Sequence, residues 1–443
     1  MEHQNAYSKP VTLSNIMKFA VPTIAMSVFM AFYTMVDGLF VSKLIGTGAL
    51  SAINLTAPVI QLVTAVSTML ATGGSAVVMK KMGEQKTREA REDFTFLILV
   101  NILAGAAMCV LGYALMGSVF SRMGLSAEVM DYCISYLSRY LLFAVPILLM
   151  NNFTLYMIAA EKADLSLICS VAGGVLNMIL DYVFIALFDM GIGGAAVATG
   201  LGYSVTAVAG LFVFARKKSL LHFTKPAFRF RMLANAAANG CSEMATALVS
   251  GMITMMFNWT MLHYVGEDGV AAVTIIMYVL TFASSLYSGY SYGVAPMISY
   301  YYGKKDHEKL NKLVSFSLRM IAVISIVTSS VSFAVTKPLV SIFTSPDHPV
   351  YGLAVTGNRI CVTALLFIGF NIFASGLFTA LSNGGVSAVL AFSRSFVFMM
   401  IAMLILPALL GVNGIWLATP AAELMAVALS AFMFLKYRKR YQY

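Results

Sequence analysis

Residues 166–188 read SLICSVAGGVLNMILDYVFIALF, an apolar run interrupted by one charge, Asp181. A run of that length is what a helix needs to cross a bilayer, and it sets the fold class. Asn177 and Asp181 are four residues apart and stand one above the other on a single helix face. Gly173, one turn earlier on that face, leaves room for a second helix. A carboxylate in hydrocarbon costs at least about 2.5–3.5 kcal/mol, so it faces a cavity or a partner and marks an ion or proton pathway. The competing reading is an Asn–Asp pair that only glues helices together.

The rest of the chain agrees with a bilayer setting. Of its 443 residues, 60% are hydrophobic and 11% charged, against about a quarter charged in soluble domains. The N-terminus, MEHQNAYSKPVTLSN, lacks the basic segment, apolar core and cleavage site of a secretory leader, so no cleavable signal peptide is expected. Cys109, Cys133, Cys169, Cys241 and Cys361 are scattered one per apolar span, which fits neither a metal site nor a disulfide framework. The net charge of +10 gathers in short loops, a topology signal rather than a nucleic-acid surface.

Apolar runs place twelve helices near 15–41, 49–79, 92–117, 131–158, 166–188, 193–215, 232–262, 269–300, 311–336, 351–381, 386–410 and 413–436. Basic residues cluster on alternate loops, among them Lys80, Lys81, Arg216, Lys217, Lys304, Lys305, Lys436 and Arg438. Only Lys43, Arg122 and Lys337 fall on the other side, so both termini are expected in the cytoplasm of a cell-membrane protein. The chain also repeats at an offset of 220 residues. Gly46, Ala52, Gly73 and Gly83 match Gly266, Ala272, Gly293 and Gly303, and Asn151, Gly191, Gly194 and Thr199 match Asn371, Gly411, Gly414 and Thr419. Six helices per half is an even number, so the halves insert with the same orientation. The expectation is an all-α polytopic membrane protein of two six-helix lobes related by a parallel repeat. The N-lobe is 1–215, a cytoplasmic linker 216–231, and the C-lobe 232–443. The basic, aromatic linker reads as an interfacial segment tying the lobes together, or else as a solvated loop.

Asp37, Asp181, Glu243 and Glu423 lie well inside apolar spans. Counted at 1.5 Å per residue, Asp37, Asp181 and Thr199 share a level roughly 6–10 Å from the outer end of the first lobe, with Asn177 one turn deeper. Two carboxylates, an amide oxygen and a hydroxyl suit H⁺ or a hard cation such as Na⁺. The repeat mates of Asp37, Asn177 and Asp181 are Phe257, Val397 and Ile401, so ion chemistry belongs to one lobe. Glu243, near mid-depth, suits a cationic substrate or a second proton, or else a pairing with a polar neighbour. Tyr33 and Met30, on helix 1 near the level of Asp37, suit the lining of a cavity for flat apolar cations. Glu423 and Arg394, on helices 12 and 11, read as a mutually neutralising pair. Pro22 removes the backbone bond to Lys18 and is expected to kink helix 1, as a hinge or as a static bend. Gly194, Ala198 and Gly202 form a close-packing row on helix 6.

Several motifs together carry a family likeness. VP at 21–22, MVDGLFVSKLIGTGALSA at 35–52, KKMGEQ at 80–85, NMILDYVFI at 177–185, GIGGAAVAT at 191–199 and GVNGIWLATPAAE at 411–423 resemble the multidrug and toxic compound extrusion (MATE) transporters over nearly the whole chain. The resemblance implies two six-helix lobes, alternating access, and export of organic cations or drugs driven by inward H⁺ or Na⁺. It places a cation site at Asp37, Asn177, Asp181 and Thr199, a bending proline at Pro22, and an acidic position of some branches at Glu243. Helix 10 offers Asn371 but no carboxylate, which departs from another branch and argues against a C-lobe ion site.

The sequence thus points to a secondary antiporter rather than an enzyme: no nucleophile–base pair or metal-ligand spacing stands out. Expected partners are small organic cations and the lipid bilayer, with no cofactor beyond the coupling ion and a monomeric state. The alternative is a flippase for lipid-linked oligosaccharide or cell-wall precursors. It would need several deep Arg or Lys to hold pyrophosphate, and only Arg394 is deep.

Overall fold

The computed structural model describes residues 7, 9–44, 47–122 and 126–443, without the side chains of 37–44, 47–51 and 54. Among the described residues, eleven helices are long and apolar enough to cross a membrane, and one bent pair makes a twelfth span. In chain order they are α1 (Leu13–Leu44), α2 (Thr47–Gly83), α3 (Thr87–Ser121), α4 (Ala127–Leu142 with Ala144–Ala159), α5 (Ala163–Leu187) and α6 (Gly191–Ala215). The second set is α7 (Phe230–Tyr264), α8 (Glu267–Lys304), α9 (His307–Ala334), α10 (Pro349–Ala380), α11 (Gly384–Leu410) and α12 (Val412–Tyr441).

The interruptions have local causes. The span expected as one helix over 131–158 is broken at Phe143, and its halves meet at 53°. Pro146 has no N–H to return to Leu142, so the helix restarts there instead of running through. Pro22, by contrast, lies inside an unbroken α1. Beside it, Thr23 donates its hydroxyl to the carbonyls of Phe19 and Ala20, both at 2.9 Å. The last turns of α5, Tyr182–Leu187, are wound as a π-helix, and so is Ser393–Val397 within α11. Such widened turns recur at functional positions.

The lobes meet along α1 and α2 on one side and α7 and α8 on the other, and glycine makes the seam. A β-carbon added at Gly83 would collide with the Tyr300 carbonyl, and one at Gly303 with the Lys80 carbonyl. Lys80 and Tyr300 are themselves 220 residues apart, so the two contacts are repeats of each other. The same holds deeper down: Gly73 packs on the backbone of Ala236 and Gly240, while its mate Gly293 packs on Phe19 and Ala20. From Gly83 to Met69, which meets Gly240, the closure extends about 21 Å from the end of the bundle bearing both termini. Toward the other end the same helices expose Phe32, Leu62, Met255 and Trp259. Backbones approach this closely in lipid because dispersion contact, not the hydrophobic effect, holds helices together there.

The segment after α6 is not a free loop. Leu221 is fully buried, the Phe223 ring stacks on Phe94 at 5.5 Å, and Arg91 donates to the Leu220 carbonyl at 3.1 Å. Arg229 then pairs with Glu92 at 2.8 Å and with buried Asp93 at 2.9 Å, fastening the start of α7 to α3.

Gly303→Ala is expected to wedge the seam. Overpacking of this kind costs about 1–3 kcal/mol. Hydrogen exchange of the amides near Gly83 should quicken and the melting temperature should fall. Gly251→Ala, where an added β-carbon meets nothing within 4 Å, should change neither.

Candidate cation site

α5 and α6 come together through glycine before any polar group is placed. A β-carbon on Gly173 would lie 2.5 Å from the Gly202 carbonyl oxygen, and one on Gly202 would lie 2.7 Å from that of Gly173. Of the expected close-packing row on α6, Gly202 is seated on Gly173 and Gly194 on Phe184. One turn along α5, Asn177 donates Nδ2 to Thr199 Oγ1 at 3.2 Å, and Thr199 donates to the Ala195 carbonyl at 3.0 Å. A second turn brings Asp181, fully buried at the point where the α-helix widens into its π-turn. Among the described residues, the buried Asn177 Oδ1 has no hydrogen-bond partner. Three oxygen-bearing side chains are therefore buried along the α5–α6 contact, and the Asn177 acceptor is left open among the described residues. That donor set matches a proton or a hard cation.

α1 covers the same stretch of α5. The Phe29 ring lies over Gly174, where an added β-carbon would be 2.6 Å from it, and Tyr33 follows. Met30 and Tyr33 line a cavity with Gly173, Gly174, Gly202 and Tyr203. Its free volume is about 10 Å³, room for about one water. The side chain of Asp37, further along α1, lies outside the described residues. Pro22 is buried in the lobe seam between Phe19–Ala20 and Thr23–Ile24, all of which meet α8 glycines.

Glu243 is not among the residues lining that cavity. It lies half-buried on α7 in the other lobe, with the charge of Arg394 and the Tyr292 hydroxyl as its electrostatic neighbours. The Arg394–Glu423 pair expected from sequence is present: Arg394 Nε donates to both Glu423 oxygens, at 2.8 and 3.0 Å. What the sequence reading missed is its extension. Asn371 on α10 donates to the Glu423 carboxylate at 2.7 Å and to its main-chain carbonyl at 3.0 Å, and Ser430 donates to Asn371 Oδ1 at 3.0 Å. Helix 10 has no carboxylate of its own, but Asn371 reaches one on α12. Tyr203 was also missed, although it adjoins Gly202 in the small-residue row.

Comparison with known proteins follows the same lines. The MatE family profile matches residues 22–183 and 243–411. The multidrug export protein MepA of Staphylococcus saprophyticus is 22% identical over 434 residues, 97% of this chain and 95% of that protein. A MATE structure solved in complex with MaL6 superposes with a TM-score of 0.90 at 22% identity, covering 96% of each chain. A Vibrio cholerae MATE transporter does so at 0.89 and 20% identity, also over 96% of each chain. At these identities the solved structures establish the fold, and the profile establishes the kinship. The chain belongs to the MatE family, as a multi-pass transporter and not an enzyme.

Proposed function

We propose that this protein is a secondary antiporter that exports organic cations in exchange for H⁺ or Na⁺ taken up in the first lobe. The observation that carries the reading is the buried set of Asn177, Thr199 and Asp181 with its open acceptor, Asn177 standing one turn along α5 from a cavity lined by Tyr33 and Met30. Asp37 completes the coupling set in this reading, and Glu243 receives part of the cargo's charge. The export of drugs attributed to the MepA relative supports the choice of cargo. The flippase alternative gains nothing, because the deep arginine it needs is already committed to Glu423.

The basic loops and both termini lie in the cytoplasm under this scheme, so the glycine seam closes the cytoplasmic half and the molecule stands outward-facing. An ion arriving at Asp181 neutralises a carboxylate that is costly to bury in the membrane interior. The lobe then packs more tightly, cargo is released, and the seam opens on the other side, with Pro22 as the place where α1 changes its bend. Coupling of this kind requires the ion and the cargo to prefer different states.

In proteoliposomes loaded with ethidium, an imposed pH gradient or Na⁺ gradient should drive efflux, and the effective gradient names the ion. Asp181→Asn and Asp37→Asn should reduce driven efflux to the level of protein-free liposomes while leaving the melting temperature near that of the parent. Efflux at the parental rate in Asp181→Asn would rule the site out. Thr199→Val strands Asn177 Nδ2 and should lower stability by about 1–3 kcal/mol together with ion response, whereas Thr199→Ser should retain both.

A further inference from the structure

The two lobes put opposite things at the same place. In the N-lobe, Gly174 and Tyr203 border the small cavity between α1, α5 and α6. Their mates 220 residues on are Arg394 and Glu423, which are bonded to each other where α11 meets α12. The overlying side chains change in step. Phe29 and Tyr33 fill the space above Gly174, and their mates Val249 and Ile253 are smaller, which leaves room for a guanidinium. The oxygen ligands, however, remain. Glu423 is 5% exposed, and Asn371 holds its carboxylate through Nδ2 while Asn371 Oδ1 accepts from Ser430. Thr419, the mate of Thr199, is one turn from Glu423 on the same face of α12. Its hydroxyl is buried and has no hydrogen-bond partner among the described residues.

We propose that Arg394 is a tethered cation that permanently occupies a latent cation site of the C-lobe, centred on the Glu423 carboxylate with the Thr419 hydroxyl one turn away on the same helix. The free ligands this site excludes are protons and small hard cations such as Na⁺, which favour oxygen donors. This deepens the N-lobe reading and rests on it in one respect: with its counterpart filled by the chain itself, only the N-lobe answers to the coupling ion. The π-turn Ser393–Val397 delivers the guanidinium, and its Nε–H, shared between both carboxylate oxygens in a charge-assisted bifurcated bond, fixes it on Glu423. The other titratable groups near the pair are Glu243 on α7, which feels the Arg394 charge without an ion pair forming, and Tyr292 on α8 beside it.

The test removes the tether in the full chain. Melting temperature in detergent is followed against Na⁺, with choline chloride as the ionic-strength control, and separately against pH. The variants are Asp181→Asn, Asp181→Asn with Arg394→Gln, and that pair with Glu423→Gln. Once Arg394 is gone, a bare carboxylate remains in the lobe, so stability should rise with added Na⁺ or as pH falls toward the protonated carboxyl. Asp181→Asn alone should lack this rise, and Glu423→Gln should remove it again. An Arg394→Gln protein that responds no differently from its background overturns the proposal. If Arg394→Gln gives no folded protein at neutral pH, the same comparison is read as folded yield at low pH or high Na⁺. No recovery there likewise overturns it. A persisting ion response in Asp181→Asn alone would instead count against the N-lobe assignment, so the two failures are separate.

Discussion

A carboxylate that leaves water for the interior of a bilayer must be compensated where it comes to rest, and that requirement organises both halves of this molecule. Asp181 and Glu423 are each buried to within a few percent. The first lies one turn from Asn177, which is bonded to Thr199 on α6, in a lobe that keeps a water-sized cavity two turns back at Gly173. The second is clamped by Arg394 and Asn371. A buried ion pair adds little net stability, because desolvation offsets its Coulombic attraction. Its effect here is on charge: it neutralises the Glu423 carboxylate, while in the N-lobe Asn177 Oδ1 is an acceptor without a donor among the described residues.

The second constraint is steric. Two lobes that move against each other in lipid cannot rely on the hydrophobic effect, because lipid chains are as apolar as leucine. Contact must come from close packing, and the reciprocal approach of Gly83 to Tyr300 and Gly303 to Lys80 supplies it. The same pairs of residues, displaced by 220, appear on both sides of the seam, so a single local geometry is used twice. A seam made of backbone against backbone has few interlocking side chains to disengage. That is compatible with a joint that opens and closes.

Pattern alone accounts for much of this. Twelve spans, the all-helical class and the 220-residue repeat follow from run length and register, because a bilayer fixes helix length and polarity so strictly. Asn177, Asp181, Thr199 and the glycine rows were legible because a polar or small residue in a membrane helix needs a reason to be there. The Arg394–Glu423 pair was legible on the same ground. The break at Phe143 was less so: Pro146 was visible, but whether a proline bends a helix or splits it depends on what packs around it, as the unbroken α1 through Pro22 shows.

The sequence by itself determined which residues leave water and on which helix face they stand, since those depend on composition and period. Which partners they then met was decided only by the tertiary structure. Asn371 found a carboxylate two helices away, Tyr203 joined the wall of the cavity, and the linker packed its Leu221 and Phe223 against α3. Those pairings depend on how helices far apart in the chain are rotated against one another. No local pattern encodes that rotation, and it is set by the close-packed contacts of the whole assembly.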